Sequence, residues 1–137
     1  PWAGVQPWQD EATLKHFATM TRIHAALAPY LVHVSAEAQR TGIGMMRPFC
    51  LANPGRKWQD KQDAYYLGND LLVYPVMRPH LRHIRIEVPE GKWVGMFNEL
   101  VYGPGAHRVD CPIGQPVVLY RRGSPFELIF QEVKNKL

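Results

Sequence analysis

The spacing of apolar residues changes along this chain, and the change limits the folds that it can adopt. Over roughly the first 40 residues the apolar positions recur every three to four residues, the period of an α-helix. Asp10 is a favourable N-cap, and Gly42 is a favourable residue just past the C-terminus. The apolar stripe of this predicted helix consists of Leu14, Phe17, Ala18, Thr21, Ala25, Ala28, Leu31 and Val32. Because the stripe is rich in small residues, we expect it to pack closely against a sheet or barrel, with a kink at Pro29.

Further along, apolar and polar residues alternate, which is the period of a half-buried β-strand. Ile84, Ile86 and Val88 alternate in this way with charged or polar neighbours. Turn-forming Pro, Gly and Asn residues separate several other apolar runs. The predicted strands are 45–51, 71–76, 83–88, 93–97 and 115–121.

The end of the chain carries a complete helix-start signal. Ser124 can cap a helix, Pro125 suits the first helical position, and Glu127 completes a capping box. The apolar residues that follow share one face of the predicted helix: Phe126, Ile129, Phe130, Val133 and Leu137. We therefore expect a short amphipathic helix that docks on the sheet.

Together these elements predict an α+β chain: a long helix, then short antiparallel strands, then a small terminal helix. A boundary is expected near residues 68–72. A helix with one strand leaves the strand's edges unpaired, so the first half should be a piece of a larger unit. Since the chain opens with Pro1 rather than Met, we expect it to begin inside a longer polypeptide.

Charge and composition argue against nucleic acid or a membrane as partners. The formal net charge is +4, but the basic residues are spread along the chain rather than clustered with aromatics. No apolar run approaches the roughly 20 residues needed to span a bilayer. Cys50 and Cys111 are too few for a disulfide scaffold, so we expect two buried free thiols, which favour the cytoplasm over an oxidising compartment.

The ionisable residues predict neither a metal site nor a catalytic centre within the chain. His24 and His33 are about 180° apart on a helix, so they cannot share one ion. Asp60, Asp63 and Asp70 lie in a polar loop that gives no reason for a raised pKa, whereas glycosidases need a matched pair of carboxylates. No cofactor is expected.

Tryptophan is the residue type in this chain best suited to stacking on a sugar ring. Trp93 falls within a predicted strand and is expected in the core. Trp2, Trp8 and Trp58 fall in predicted loops and are the candidate substrate-binding residues. Taken alone, the residue chemistry predicts a globular domain without a self-contained active site.

Five blocks, in order, resemble motifs of family-31 glycoside hydrolases. They are Leu27-Ala28-Pro29-Tyr30-Leu31, Thr41-Gly42-Ile43-Gly44-Met45-Met46-Arg47-Pro48-Phe49, Tyr66-Leu67-Gly68-Asn69-Asp70-Leu71-Leu72-Val73-Tyr74-Pro75-Val76, Pro89-Glu90-Gly91-Lys92-Trp93, and Cys111-Pro112-Ile113-Gly114-Gln115-Pro116-Val117-Val118-Leu119-Tyr120-Arg121. The last block and the early stop after one short helix look most like the sulfoquinovosidase branch. The chain departs from the family pattern in its hairpins, for example with Gly44 where Pro is common.

The resemblance implies a fold and a role. Residues 1–67 would be the last helix and strand of a (β/α)8 catalytic barrel, and residues 68–137 an antiparallel β-sandwich with its terminal helix. The Asp nucleophile and Asp acid/base of a retaining enzyme would lie upstream of Pro1, so no catalytic residue is expected here. Arg47 would anchor a strand end through a salt bridge.

These implications define the leading hypothesis and two alternatives. The leading one is a structural C-terminal segment of a retaining α-glycosidase acting on α-sulfoquinovosides or α-glucosides, with the rest of its own barrel as partner. The first alternative is a stand-alone carbohydrate-binding β-sandwich. The second is an inactive homologue with a scaffold role.

Overall fold

A computed structural model of the chain describes residues 6–55 and 63–136. The helices are α1 (Glu11–Thr41), α2 (Phe49–Ala52) and α3 (Glu127–Val133), with 3-10 turns at Pro7–Gln9 and Lys134–Lys136. The strands are β1 (Met46–Pro48), β2 (Tyr65–Leu67), β3 (Leu71–Tyr74), β4 (His83–Val88), β5 (Trp93–Gly95), β6 (Val101–Tyr102), β7 (Gly105–Asp110) and β8 (Val117–Arg121).

The described strands form one sheet and one ribbon. The sheet has the order β1-β2-β3-β8-β5-β6, and β4 pairs with β7 in the ribbon. Every pairing is antiparallel. The predicted α+β class with antiparallel strands is therefore confirmed, while the barrel and sandwich assignments stay predictions. The expected boundary falls within the β2–β3 hairpin.

The sheet buries both of its faces in separate apolar clusters. Neighbouring strand residues point to opposite faces, so Leu72 and Leu119 join the ribbon-side cluster with Ile86, whereas Leu71 and Tyr120 join the helix-side cluster. The result is a three-layer arrangement of helices, sheet and ribbon. Trp93 is fully buried in the ribbon-side cluster, as predicted.

The long helix packs on the sheet with a different face from the one predicted. Its buried residues are Ile23, Tyr30 and Val34, whereas Phe17 and Val32 of the predicted stripe are 56% and 69% exposed. Val32 lies nine residues after Ile23, about 180° around the helix. The helix thus has two apolar faces, and this sheet covers only one. It is continuous through Pro29.

Four of the five predicted strands are shorter than expected, and the contacts that end two of them are clear. The segment 45–51 forms a strand only at Met46–Pro48, because the chain then enters the single helical turn of α2. The Phe49 carbonyl, the first of α2, accepts hydrogen bonds from both the backbone and the side chain of Asn53. Leu51, predicted to be buried, is 60% exposed. Strand 93–97 ends at Gly95, where the backbone N–H of Glu99 donates to the Gly95 carbonyl and closes a turn.

The terminal helix forms with a modified start. It begins at Glu127 rather than Pro125. Ser124 Oγ accepts a hydrogen bond from the Phe126 N–H at 3.1 Å, and Glu127 Oε2 accepts one from the Gly123 N–H at 2.8 Å. The two polar residues of the predicted capping signal therefore both bond to backbone at this start. Phe130 and Val133 are buried, and Leu137 lies outside the described residues.

Cys50 and Cys111 are both free, as predicted, although Cys50 is only half-buried. Within the described residues no helix is long and apolar enough to cross a membrane.

Candidate functional site at the junction of α1 and the sheet

The turn between β2 and β3 is fixed to α1 by one buried tyrosine. The Tyr30 hydroxyl donates to the Leu67 carbonyl at 2.6 Å and accepts from the Asp70 N–H at 3.2 Å. Burial raises the pKa of Tyr30 to about 12, so the hydroxyl stays protonated and can keep both bonds at physiological pH. Phe126, just before α3, and Phe130, within α3, meet the Tyr30 ring edge-on, with distances of 5.1 and 4.9 Å between ring centroids.

The close approach of α1 to this turn requires glycine at position 68. Gly68 has a φ of 64°, which L side chains rarely adopt. A Cβ atom there would lie 2.6 Å from Val34 Cγ2 and closer still to the Tyr30 hydroxyl oxygen. The glycine of this family motif therefore allows α1 to pack closely against the turn.

A second set of polar contacts joins α1, β1 and the same turn. Arg47, 8% exposed, forms the predicted salt bridge, and its partner is Glu37, with 3.0 Å between Nη2 and Oε2. Asn69 donates to the other Glu37 carboxylate oxygen at 3.0 Å and accepts from Arg47 Nη1. Desolvation pushes the pKa of Glu37 upward, but the bonds from Asn69 and Arg47 outweigh it, and the pKa lies below its usual value.

Asp70 occupies the far side of the turn. The prediction that it is a solvated loop acid with no reason for a raised pKa was wrong, because Asp70 is half-buried in this turn. Burial raises its pKa against the opposing effects of Arg121 and Ser124. The Arg121 guanidinium in turn lies 4.5 Å above the Trp93 ring.

The described contacts of this junction hold α1, β1 and the β2–β3 turn together. Arg47 and Asn69 keep Glu37 ionised, so it serves the junction as a hydrogen-bond acceptor and as one partner of a salt bridge. Within residues 6–55 and 63–136 no group of three or more His, Cys, Asp or Glu residues could hold a metal. The expectation that the catalytic Asp residues lie upstream stays a prediction.

Of the three candidate sugar-binding tryptophans, the described residues include only Trp8. Trp8 lies in the 3-10 turn before α1 and is 68% exposed. Trp2 and Trp58 lie outside the described residues, as does Asp60. A cavity of about 450 Å³ between α1 and the loops 76–81 and 111–116 has no Trp, Tyr or Phe among its lining residues in the described part of the chain.

Sequence reasoning missed the roles of Glu37 and Asn69. They lie 32 residues apart and meet only when the fold is complete, so no local spacing marks them. The sequence marked Tyr30 only as part of a family motif. Its role could not be predicted, because its hydrogen bonds join residues 37 and 40 positions apart.

Comparison with known proteins identifies the family. A family model for the glycosyl hydrolase family 31 C-terminal domain matches residues 42–124. A sulfoquinovosidase of Agrobacterium fabrum is 36% identical over 138 residues, covering 98% of this chain and 21% of its own length. A sulfoquinovosidase of Escherichia coli is 33% identical over 137 residues, covering 93% and 20%. The chain belongs to glycosyl hydrolase family 31.

A solved structure gives the same result for the fold. A GH31 family sulfoquinovosidase from E. rectale, in complex with the aza-sugar inhibitor IFGSQ, matches with a TM-score of 0.91 and 27% identity over 98% of this chain. The match covers 20% of that protein, so the chain spans about a fifth of the length of these relatives. The resemblance to the family, most closely to its sulfoquinovosidases, is confirmed.

Proposed function

We propose that this chain is the structural C-terminal segment of a retaining α-glycosidase that hydrolyses α-sulfoquinovosides. The observation that carries the proposal is the second apolar face of α1. A helix with two apolar faces belongs between two packed layers, and the sheet supplies only one of them. The family match and the sulfoquinovosidase relatives support the chemistry that we propose for the parent enzyme.

The partner of that second face is the remainder of the catalytic barrel. Leu14, Phe17 and Val32 are 44%, 56% and 69% exposed. Covering the exposed half of each such side chain stabilises an assembly by roughly 1 kcal/mol. In this proposal residues 1–67 complete the barrel and residues 68–137 form the β-sandwich that braces it.

The polar junction then has a mechanical role in catalysis. Tyr30, Arg47 and Gly68 fix the orientation of α1 on the sheet. The part of the barrel that packs on the outer face of α1 is therefore oriented by these contacts. Because a misplacement of about 1 Å can cost a hundredfold in rate, a rigid brace far from the reacting atoms affects turnover. The nucleophile and acid/base Asp residues belong to the upstream part.

The test is a comparison of the parent enzyme with the 137-residue chain on chromogenic α-sulfoquinovoside and α-glucoside substrates. The proposal expects the parent to cleave the sulfonated substrate and the chain alone to be inert. A parent that prefers the glucoside would leave the family intact and refute the substrate assignment. Turnover by the chain itself would refute the structural role.

A further inference from the structure

Two arginines face each other across the β4–β7 ribbon. Arg85 and Arg108 are directly paired in its register, and both are exposed. Like charges in directly opposed positions of an antiparallel pair are destabilising. An arrangement of this kind is relieved when an anion lies between the two cations.

The Arg108 guanidinium is held in place by a neighbour. Its Nη2 lies 3.0 Å from His83 Nδ1. Because a guanidinium can only donate, His83 Nδ1 must be the acceptor. In the neutral imidazole the ring proton is then on Nε2. The bond uses part of the Arg108 fork and leaves its other N–H groups available. Arg85 has no salt bridge with a carboxylate of residues 6–55 or 63–136.

A cleft lies on the ribbon at this position. It has a volume of about 290 Å³ and is lined by His83, Arg85, Ala106, His107 and Arg108. The small side chain of Ala106 leaves room beside the guanidinium groups. Glu87 and Asp110 are paired in register with Ala106 and His83, so they flank the cleft, but neither lines it.

We propose that this cleft binds a tetrahedral oxyanion of the sulfate, sulfonate or phosphate-monoester class. Guanidinium groups donate paired N–H bonds to two oxygens at once, and a tetrahedral anion offers three or more oxygens to two such forks. The site is solvent-exposed and has two carboxylates nearby, so we expect a dissociation constant in the millimolar range.

The experiment is a titration of the 15N-labelled chain, followed by backbone amide chemical shifts. The probes are sodium sulfate, sodium phosphate and sodium methanesulfonate, with sodium chloride at matched ionic strength as reference. We expect saturable shifts confined to residues 83–87 and 106–110. Saturation by all three anions indicates a general oxyanion site, whereas a response to methanesulfonate above that to the two inorganic anions indicates a site for organic sulfonates.

Matched variants separate this site from diffuse attraction. Arg85→Gln and Arg108→Gln should each weaken binding about tenfold. Arg122→Gln, which removes the same charge from an exposed position just after β8, should leave binding unchanged. The amide spectrum of each variant reports whether it is folded. Equal weakening by Arg122→Gln, or shifts no greater than those in chloride, would overturn the proposal. Glycoside turnover enters none of these measurements, so they stand apart from the proposed function.

Discussion

Replacing Tyr30 by Phe removes one oxygen atom from the centre of the junction. The change leaves the Leu67 carbonyl and the Asp70 N–H without the hydroxyl that now bonds both. A buried backbone group that loses its partner costs about 1–3 kcal/mol. The buried hydroxyl itself no longer has to be desolvated, which offsets part of the loss. We expect the free energy of unfolding to fall by about 2 kcal/mol, a factor of roughly thirty in the folded-to-unfolded ratio.

The assay is urea unfolding followed by circular dichroism, with the midpoint and the slope both fitted. A shift in midpoint at constant slope reports stability. Tyr65→Phe is the matched control, because the Tyr65 hydroxyl makes no hydrogen bond with the described residues. If Tyr30→Phe and Tyr65→Phe have equal midpoints, the hydroxyl does not hold the turn and the reasoning fails.

A second substitution sharpens this test. Gly68→Ala should destabilise more than Tyr30→Phe, because it adds strain at positive φ to an overlap with Val34 and the Tyr30 hydroxyl. Combining Gly68→Ala with Tyr30→Phe removes the hydroxyl oxygen that the new Cβ would strike. The double variant should therefore lose less stability than the sum of the two single changes. Simple additivity would show that the two side chains do not meet.

Two further predictions concern charge and docking. Because the pKa of Glu37 is lowered in the folded protein, its contribution to stability is complete above its unfolded pKa and is lost as the pH falls through its folded pKa. Glu37→Gln should therefore flatten the decline of melting temperature over roughly pH 5 to 3. Asp70, whose raised pKa acts in the opposite sense, is present in both proteins and does not affect the comparison. An unchanged decline would contradict this. In the parent enzyme, Phe17→Asp and Val32→Asp each place a charge on the outer face of α1 and should abolish soluble, active protein. Arg22→Asp, at a lateral position of α1, should retain activity. Activity assays of the three variants test this, and equal activity of all three would contradict it.

Local signals in the sequence predicted local structure well. The polar pair Ser124 and Glu127 marks the start of α3 because capping acts within one helical turn. The alternation in β4 likewise predicted which residues of that strand face the core. Arg47 was assigned a salt bridge through the family motif, and the structure adds its partner, Glu37.

The misplaced face of α1 has a physical cause. Periodicity finds an apolar stripe but cannot choose between two stripes on opposite sides of one helix. The choice is made by Tyr30, whose hydroxyl reaches the β2–β3 turn, and by Gly68, which lets the helix approach. Both depend on contacts more than 30 residues apart in sequence, as the Glu37–Asn69 bond does. Asp70 was misjudged for the same reason.

The central claim is that the outer face of α1 is covered in the parent enzyme. The test is thiol labelling of an Ala28→Cys variant, made both in the 137-residue chain and in the parent enzyme. Mass spectrometry of the peptide that contains position 28 gives the modification rate in each protein. Arg22→Cys, on a lateral position of the same helix, serves as the reference. The account predicts rapid labelling of position 28 in the chain and at least about tenfold protection in the parent, with position 22 labelled alike in both. Equal labelling of position 28 in the two proteins would contradict it.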